Sequence, residues 1–102
     1  MRDVVWSRDA LDDLDSVTAY IAAENPAAAL KVLDRIDETA GKLGQRTIGR
    51  RGRVSGTYEI SVRRLPYIIA YALQTLPSGL ERVVILRVIH MARNWPKDSW
   101  PD

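Results

Sequence analysis

Cysteine is missing from this chain altogether, so neither disulfides nor thiolate chemistry is available to it. Histidine is nearly missing: His90 stands alone, without the cysteines or clustered carboxylates that would complete a metal site. No window approaches the roughly 18 uninterrupted apolar residues expected of a membrane-spanning segment. The opening residues Met1-Arg2-Asp3-Val4-Val5-Trp6 also lack the apolar core of a secretory leader. We therefore expect a cytoplasmic protein with no metal and no cofactor. Internal repeats, low-complexity stretches and linkers are absent as well, so residues 1–102 read as one domain.

What is present is an uneven distribution of charge. The net charge of +2 conceals nine acidic against five basic groups in residues 1–45, a net of −4, and ten basic against four acidic groups in residues 46–102, a net of +6. Nine of those ten basic groups are arginine, whose planar fork matches phosphate and carboxylate alike. The asymmetry points to a polyanionic or acidic partner for the second half.

Hydrophobic periodicity divides the chain at the same place. Arg2 to Trp6 suits a first strand, and Ser7 offers a helix cap ahead of Asp9, Asp12 and Asp13, which complement the helix dipole. Leu11, Leu14, Val17, Tyr20 and Ile21 then mark the apolar face of a helix running to about Glu24. Asn25-Pro26 punctuates it and starts a second helix, with Ala29, Leu30, Leu33, Ile36, Ala40 and Leu43 on one face. Two helices joined so tightly form an antiparallel hairpin. Beyond Gln45 the period falls to two: Tyr58 to Arg63 alternates, Pro66 to Leu73 is apolar on both faces, and Arg82 to His90 is long and β-branched. The expected order is β-α-α-β-β-β, an α+β fold with the hairpin on an antiparallel sheet.

Three groups of side chains could carry chemistry. Arg87 lies between Ile85 and Ile89 on an apolar strand, where a buried guanidinium requires an acceptor. Glu59, the one carboxylate inside a core strand, is its expected partner in an ion pair across the sheet. Arg50, Arg51 and Arg53 sit among Gly49, Gly52 and Gly56, a loop able to approach phosphates or an acidic protein segment closely; Arg63 and Arg64 add to that charge. His90, three residues before Arg93, would need a positioned acid to act as a general base, and capping the strand end is the simpler role. Trp95-Pro96 and Trp100-Pro101 are expected to anchor the C-terminal tail on the sheet.

These residues resemble the RelE/ParE superfamily of bacterial toxins, the toxic halves of type II toxin–antitoxin modules. The resemblance runs through Trp6-Ser7, Tyr20-Ile21, Asn25-Pro26-Ala27-Ala28-Ala29, the Arg50–Glu59 segment and, most specifically, Leu86-Arg87-Val88-Ile89-His90-Met91-Ala92-Arg93-Asn94-Trp95-Pro96. It implies a toxin neutralised by a cognate antitoxin that wraps it, laying an amphipathic helix on the hairpin or a sheet edge. Arg50, Arg51, Arg53, Arg63, Arg64 and Arg93 are then the candidates for target or antitoxin binding. RelE-type relatives cut mRNA in the ribosome with sheet lysines and arginines and often a C-terminal tyrosine. Here the corresponding positions are Glu59 and Ser61, Ile68, and a place near Trp95. The chain is thus closer to ParE-type relatives, which poison DNA gyrase. A ribosome-dependent endoribonuclease built on Arg50, Arg53, Arg87, His90 and Arg93 is the alternative, and an inactive antitoxin-binding relative a third. The Gly-Thr-Arg-Glu of many relatives is Gly56-Thr57-Tyr58-Glu59 here, so no role passes to that arginine.

Overall fold

The computed structural model describes residues 2–46 and 48–101. Strand β1 (Asp3–Trp6) leads into helices α1 (Arg8–Ala22) and α2 (Pro26–Lys42), followed by β2 (Arg50–Arg51), β3 (Tyr58–Ser61), β4 (Tyr67–Thr75) and β5 (Glu81–His90). The strands form one sheet in the order β1-β5-β4-β3-β2. The expected order of elements is borne out. The sheet is mixed, because β1 runs parallel to β5 while every other neighbour is antiparallel. The two-residue strand β2 forms within the arginine-rich loop.

Both helices start as their caps dictate. The Ser7 hydroxyl accepts the Ala10 amide, and the Asn25 side chain accepts the Ala28 amide with Pro26 at the first helical position. Most of the stripes read off the sequence are covered, with Leu11, Tyr20 and Leu30 as the exposed exceptions. On α2, Ala29, Ile36 and Ala40 are buried with Val32 packed beside them, whereas Leu30 is 63% exposed. On α1, Ala10, Leu14 and Val17 face the core, while Leu11 and Tyr20 (81% exposed) face outward. Ala10, which the expected stripe left out, is fully buried instead.

Strand β4 is central and buried on both faces, as its unbroken apolar run requires. Tyr67, Ile69 and Tyr71 join Val83, Ile85 and Val88 of β5 and Ile36, Ala40 and Leu43 of the hairpin side in one core. The alternate residues Ile68, Ala70 and Ile89 are equally buried. Tyr71 is fully buried; its hydroxyl donates to the Ile48 carbonyl and its ring stacks on Tyr58 at 5.5 Å.

The outer edge of β5 explains a residue that the periodicity left on the wet side. β1 ends with Trp6 opposite Ile85, and a register slip between Ala70 and Tyr71 makes Leu86 an extra residue. From there on, among the described residues, β5 has no strand on that side, and α1 takes its place. The Ser7 amide donates to Ile85 O at 2.9 Å and the Ser7 hydroxyl to Leu86 O at 2.9 Å. Asp13 accepts the Val88 amide at 2.8 Å and both Nε and Nη2 of Arg87, at 2.7 and 3.2 Å.

The expected Glu59–Arg87 ion pair is therefore corrected: Arg87 pairs with Asp13. Glu59 and Arg87 do share a row across the sheet, but Ala70 of β4 stands between them. Two strand spacings, roughly 10 Å, exceed salt-bridge reach. The hydrogen bond with Asp13 makes Arg87 hold its proton more tightly than an ordinary guanidinium, against the opposing effect of burial, with further support from the Asp13 and Asp9 charges.

Replacing Asp13 by Ala strands Arg87 and frees the Val88 amide, and is expected to cost about 2–3 kcal/mol in urea unfolding. Asp13→Asn, which keeps an acceptor for that amide, should cost less. A loss below about 0.5 kcal/mol for Asp13→Ala, the scale of an exposed pair, would show that α1 does not close this edge.

Candidate functional site

The arginine loop owes its shape to two glycines. Gly49 adopts φ +115°, and a Cβ there would lie 2.4 Å from the Glu59 carbonyl oxygen. At Gly52 a Cβ would meet the Thr57 hydroxyl at 2.3 Å, which lets the Gly52 amide reach the Thr57 carbonyl at 2.9 Å. The Thr57 hydroxyl in turn donates to Val54 O at 2.7 Å, closing the turn. Any side chain at either position would push β2 away from β3.

Glu59 lies inside this turn and is 1% exposed. One carboxylate oxygen accepts Arg50 Nη2 and Arg53 Nη1, both at 3.2 Å; the other accepts the Arg53 backbone amide at 2.7 Å. A buried carboxylate is tolerable only when its lone pairs are occupied by charged or amide donors, and here three donors do so. Neither arginine is buried with it: their side chains remain 55% and 40% exposed.

The C-terminal tail closes over the same loop. The Arg53 guanidinium lies 4.3 Å from the centre of the Trp95 ring, and the Asp98 amide donates to Arg53 O at 2.9 Å. Trp95 stacks with Trp100 at 5.8 Å and donates its indole N–H to Ser99 O at 2.7 Å. Together these residues shape an open cleft of about 440 Å³ lined by Arg50, Arg51, Gly52, Arg53, Glu59, Trp95 and Lys97. Four cations against one covered carboxylate leave it strongly positive.

The other candidate residues lie elsewhere. Arg63 and Arg64 occupy the β3–β4 turn beside Arg35, Glu38 and Lys42, with Arg64 at φ +65°. His90 meets the Tyr67 ring edge-on at 5.2 Å. Its Nδ1 accepts the Ala92 amide at 2.9 Å, which assigns the ring proton to Nε2 and gives the histidine the strand-capping role expected of it. Burial first, and the neighbouring Tyr20 second, raise the Tyr67 phenol above its ordinary value. Arg93 borders His90, Tyr67, Tyr20 and Asp13 in a separate groove. The five residues proposed for an endoribonuclease are thus divided: Arg50 and Arg53 in one cleft, His90 and Arg93 in another groove, and Arg87 held by Asp13. Among the described residues no group of three or more His, Cys, Asp or Glu side chains comes together.

Lys97 carries no sequence signal of its own, Asp13 reads only as a helix-dipole acid, and Trp95 only as a tail anchor near the position of the relatives' C-terminal tyrosine. Asp13 looked like any acid on the exposed side of α1. The interleaved Arg93, Trp95, Lys97 and Trp100 could have been read as a basic-aromatic pattern.

The family profile described as "ParE toxin of type II toxin-antitoxin system, parDE" matches residues 4–95. The chain belongs to the ParE toxin family. Y4kP of Sinorhizobium fredii is 36% identical over 93 residues, covering 90% of this chain and 91% of that relative. Toxin RelE2 of Caulobacter vibrioides is 35% identical over 94 residues, covering 91% and 99%. Among solved structures, the "Chromosomal ParDE TA system from P. aeruginosa" superposes with a TM-score of 0.75 at 26% identity, covering 88% of this chain and 96% of that one. The two helices on a five-stranded sheet are the architecture of this ParE toxin.

Arg50 and Arg53 share one acceptor, which predicts a non-additive response. Arg50→Ala or Arg53→Ala alone should each cost about 1 kcal/mol, because the other arginine still covers Glu59. The double variant should exceed the sum by about 1–2 kcal/mol, since it leaves the carboxylate with a single backbone donor. Additive losses in urea unfolding would mean that the two arginines do not hold Glu59 jointly.

Proposed function

We propose that this ParE-family toxin arrests growth in the cytoplasm by poisoning DNA gyrase, without a nuclease centre, and that a cognate antitoxin neutralises it. The observation that carries the reading is the state of Glu59. It occupies a position where RelE-type relatives hold phosphate with a base, and its buried carboxylate engages the two nearest arginines. A carboxylate there opposes the charge that builds up on phosphate during RNA cleavage. Ile68, at the third such position, is 4% exposed and nonpolar. Among the described residues that line the cleft with Arg50 and Arg53, the one acid is Glu59, which those arginines hold, and no histidine stands beside it.

The antitoxin reading has its own support. The solved structure that this chain resembles is described as a ParDE toxin–antitoxin system. Leu11, Tyr20 and Leu30 lie exposed along the hairpin and offer apolar contact to an amphipathic helix. Arg93 borders Tyr20, and Arg63 and Arg64 stand beside Arg35, Glu38 and Lys42 of α2, as candidate contacts for its acidic residues.

Purified protein added to gyrase and supercoiled plasmid should inhibit supercoiling and accumulate enzyme-linked, cleaved DNA. Induction in cells should raise the DNA-damage response, with transcript 5′ ends unchanged. New 5′ ends at ribosomal A-site codons, with gyrase unaffected, would overturn the proposal in favour of an endoribonuclease. Growth unimpaired by folded protein would favour an inactive antitoxin-binding relative.

A further inference from the structure

The stacked Trp95 and Trp100 each border a hollow. Beside Trp95 lies the cationic cleft of Arg50, Arg51, Arg53 and Lys97. The other, a smaller hollow of about 200 Å³, is bordered by Trp100, Arg93, Asn94, Pro96 and Ser99. Among the described residues, the side chains of Arg51, Arg93 and Lys97 have no hydrogen-bond or ion-pair partner, and Arg50 gives Glu59 only one of its N–H groups. Folding accounts for Glu59 and for part of Arg53. It does not account for Arg51 and Lys97, which share the cleft beside Trp95, or for Arg93, which borders Trp100 in the other hollow.

We infer that this surface is a binding site for single-stranded nucleic acid, with phosphates held by Arg50, Arg51 and Lys97 and a base stacked beside Trp100. The combination decides the ligand class. A basic cleft alone would accept any polyanion, and half-buried aromatics alone would accept any apolar partner. Cations flanking stacked rings suit a chain that alternates phosphates with planar bases. Single strands are favoured over duplex because a duplex keeps its base faces stacked internally and leaves Trp100 nothing to cover. Glu59 does not repel the strand, since it is buried beneath Arg50 and Arg53. The tail supplies Trp95, Lys97 and Trp100 together, and Arg53 ties it to the loop through the Trp95 ring and the Asp98 amide. The site therefore exists only while the tail is docked. The inference does not rest on gyrase as the target: strand binding and gyrase inhibition are measured separately and can fail separately.

The test is fluorescence anisotropy of a labelled oligothymidylate of about ten nucleotides, with oligouridylate as a second arm and the matching DNA duplex and polyglutamate as competitors. Three phosphate contacts give a salt slope near −2, so binding should weaken roughly tenfold to twentyfold between about 50 and 200 mM salt. Arg51→Glu, an exposed change with no partner to lose, should weaken it by about fivefold or more and flatten the slope. Trp100→Leu should weaken it by about fivefold or more, and Trp100→Phe by much less, which separates lost stacking from a displaced tail. Binding of either oligonucleotide with these responses supports the site, and a preference between the two arms identifies the strand. No binding at low salt overturns it, as does displacement by polyglutamate or duplex as effective as by single strand. Indifference to both Arg51→Glu and Trp100→Leu overturns it as well.

Discussion

One buried carboxylate organises the functional end of this protein. Glu59 is on a core strand, where an ionised side chain is costly to keep without donors, so the chain around it must supply them. The Arg53 amide reaches it only because the turn from Gly52 to Thr57 is tight, and the two guanidinium groups reach it only because β2 is held close at Gly49. Satisfying Glu59 thus fixes the loop. Once the loop is fixed, Arg53 presents its guanidinium to Trp95 and its carbonyl to the Asp98 amide, and the C-terminal tail has a place to dock.

A second carboxylate does corresponding work at the opposite end of the same cross-sheet row. Asp13 closes the edge of β5 beyond β1 and neutralises Arg87, so that arginine is structural. Two acids therefore decide which of the candidate cations are spent on folding. Arg87 is fully committed, Arg50 and Arg53 are partly committed, and among the described residues Arg51, Arg63, Arg64 and Arg93 are left over, as is Lys97 of the tail. The free cations of the cleft lie at the margin of the sheet, Arg51 on the edge strand β2 and Lys97 on the tail.

The helical hairpin, the central position of β4 and the order of elements were legible from periodicity and capping residues, because each depends on contacts within a short stretch or on an unbroken apolar run. The parallel pairing of β1 with β5 was not, since a four-residue strand carries no local sign of its partner. The Glu59–Arg87 pairing failed for a definite reason. Both residues were rightly placed on core strands, but whether a strand intervenes depends on sheet order, and Ala70, small and silent in the sequence, occupies the position between them. Asp13 was hidden because a helix acid that closes a strand edge has the same sequence context as one facing water. The arginine cluster was legible as a cluster. Its division into bound and free members was not, because Trp95 and Asp98 join it from more than forty residues away along the chain.

Hydrogen exchange on the Glu59→Gln variant addresses the central claim most directly, because glutamine keeps the volume and removes the charge. If the carboxylate holds loop and tail together, the Gly52, Arg53 and Asp98 amides should lose protection in concert. The amides pairing β4 with β5, and those of the hairpin, should keep theirs. Unchanged protection of the loop and tail, or a loss spread evenly through β4, β5 and the helices, would contradict the account.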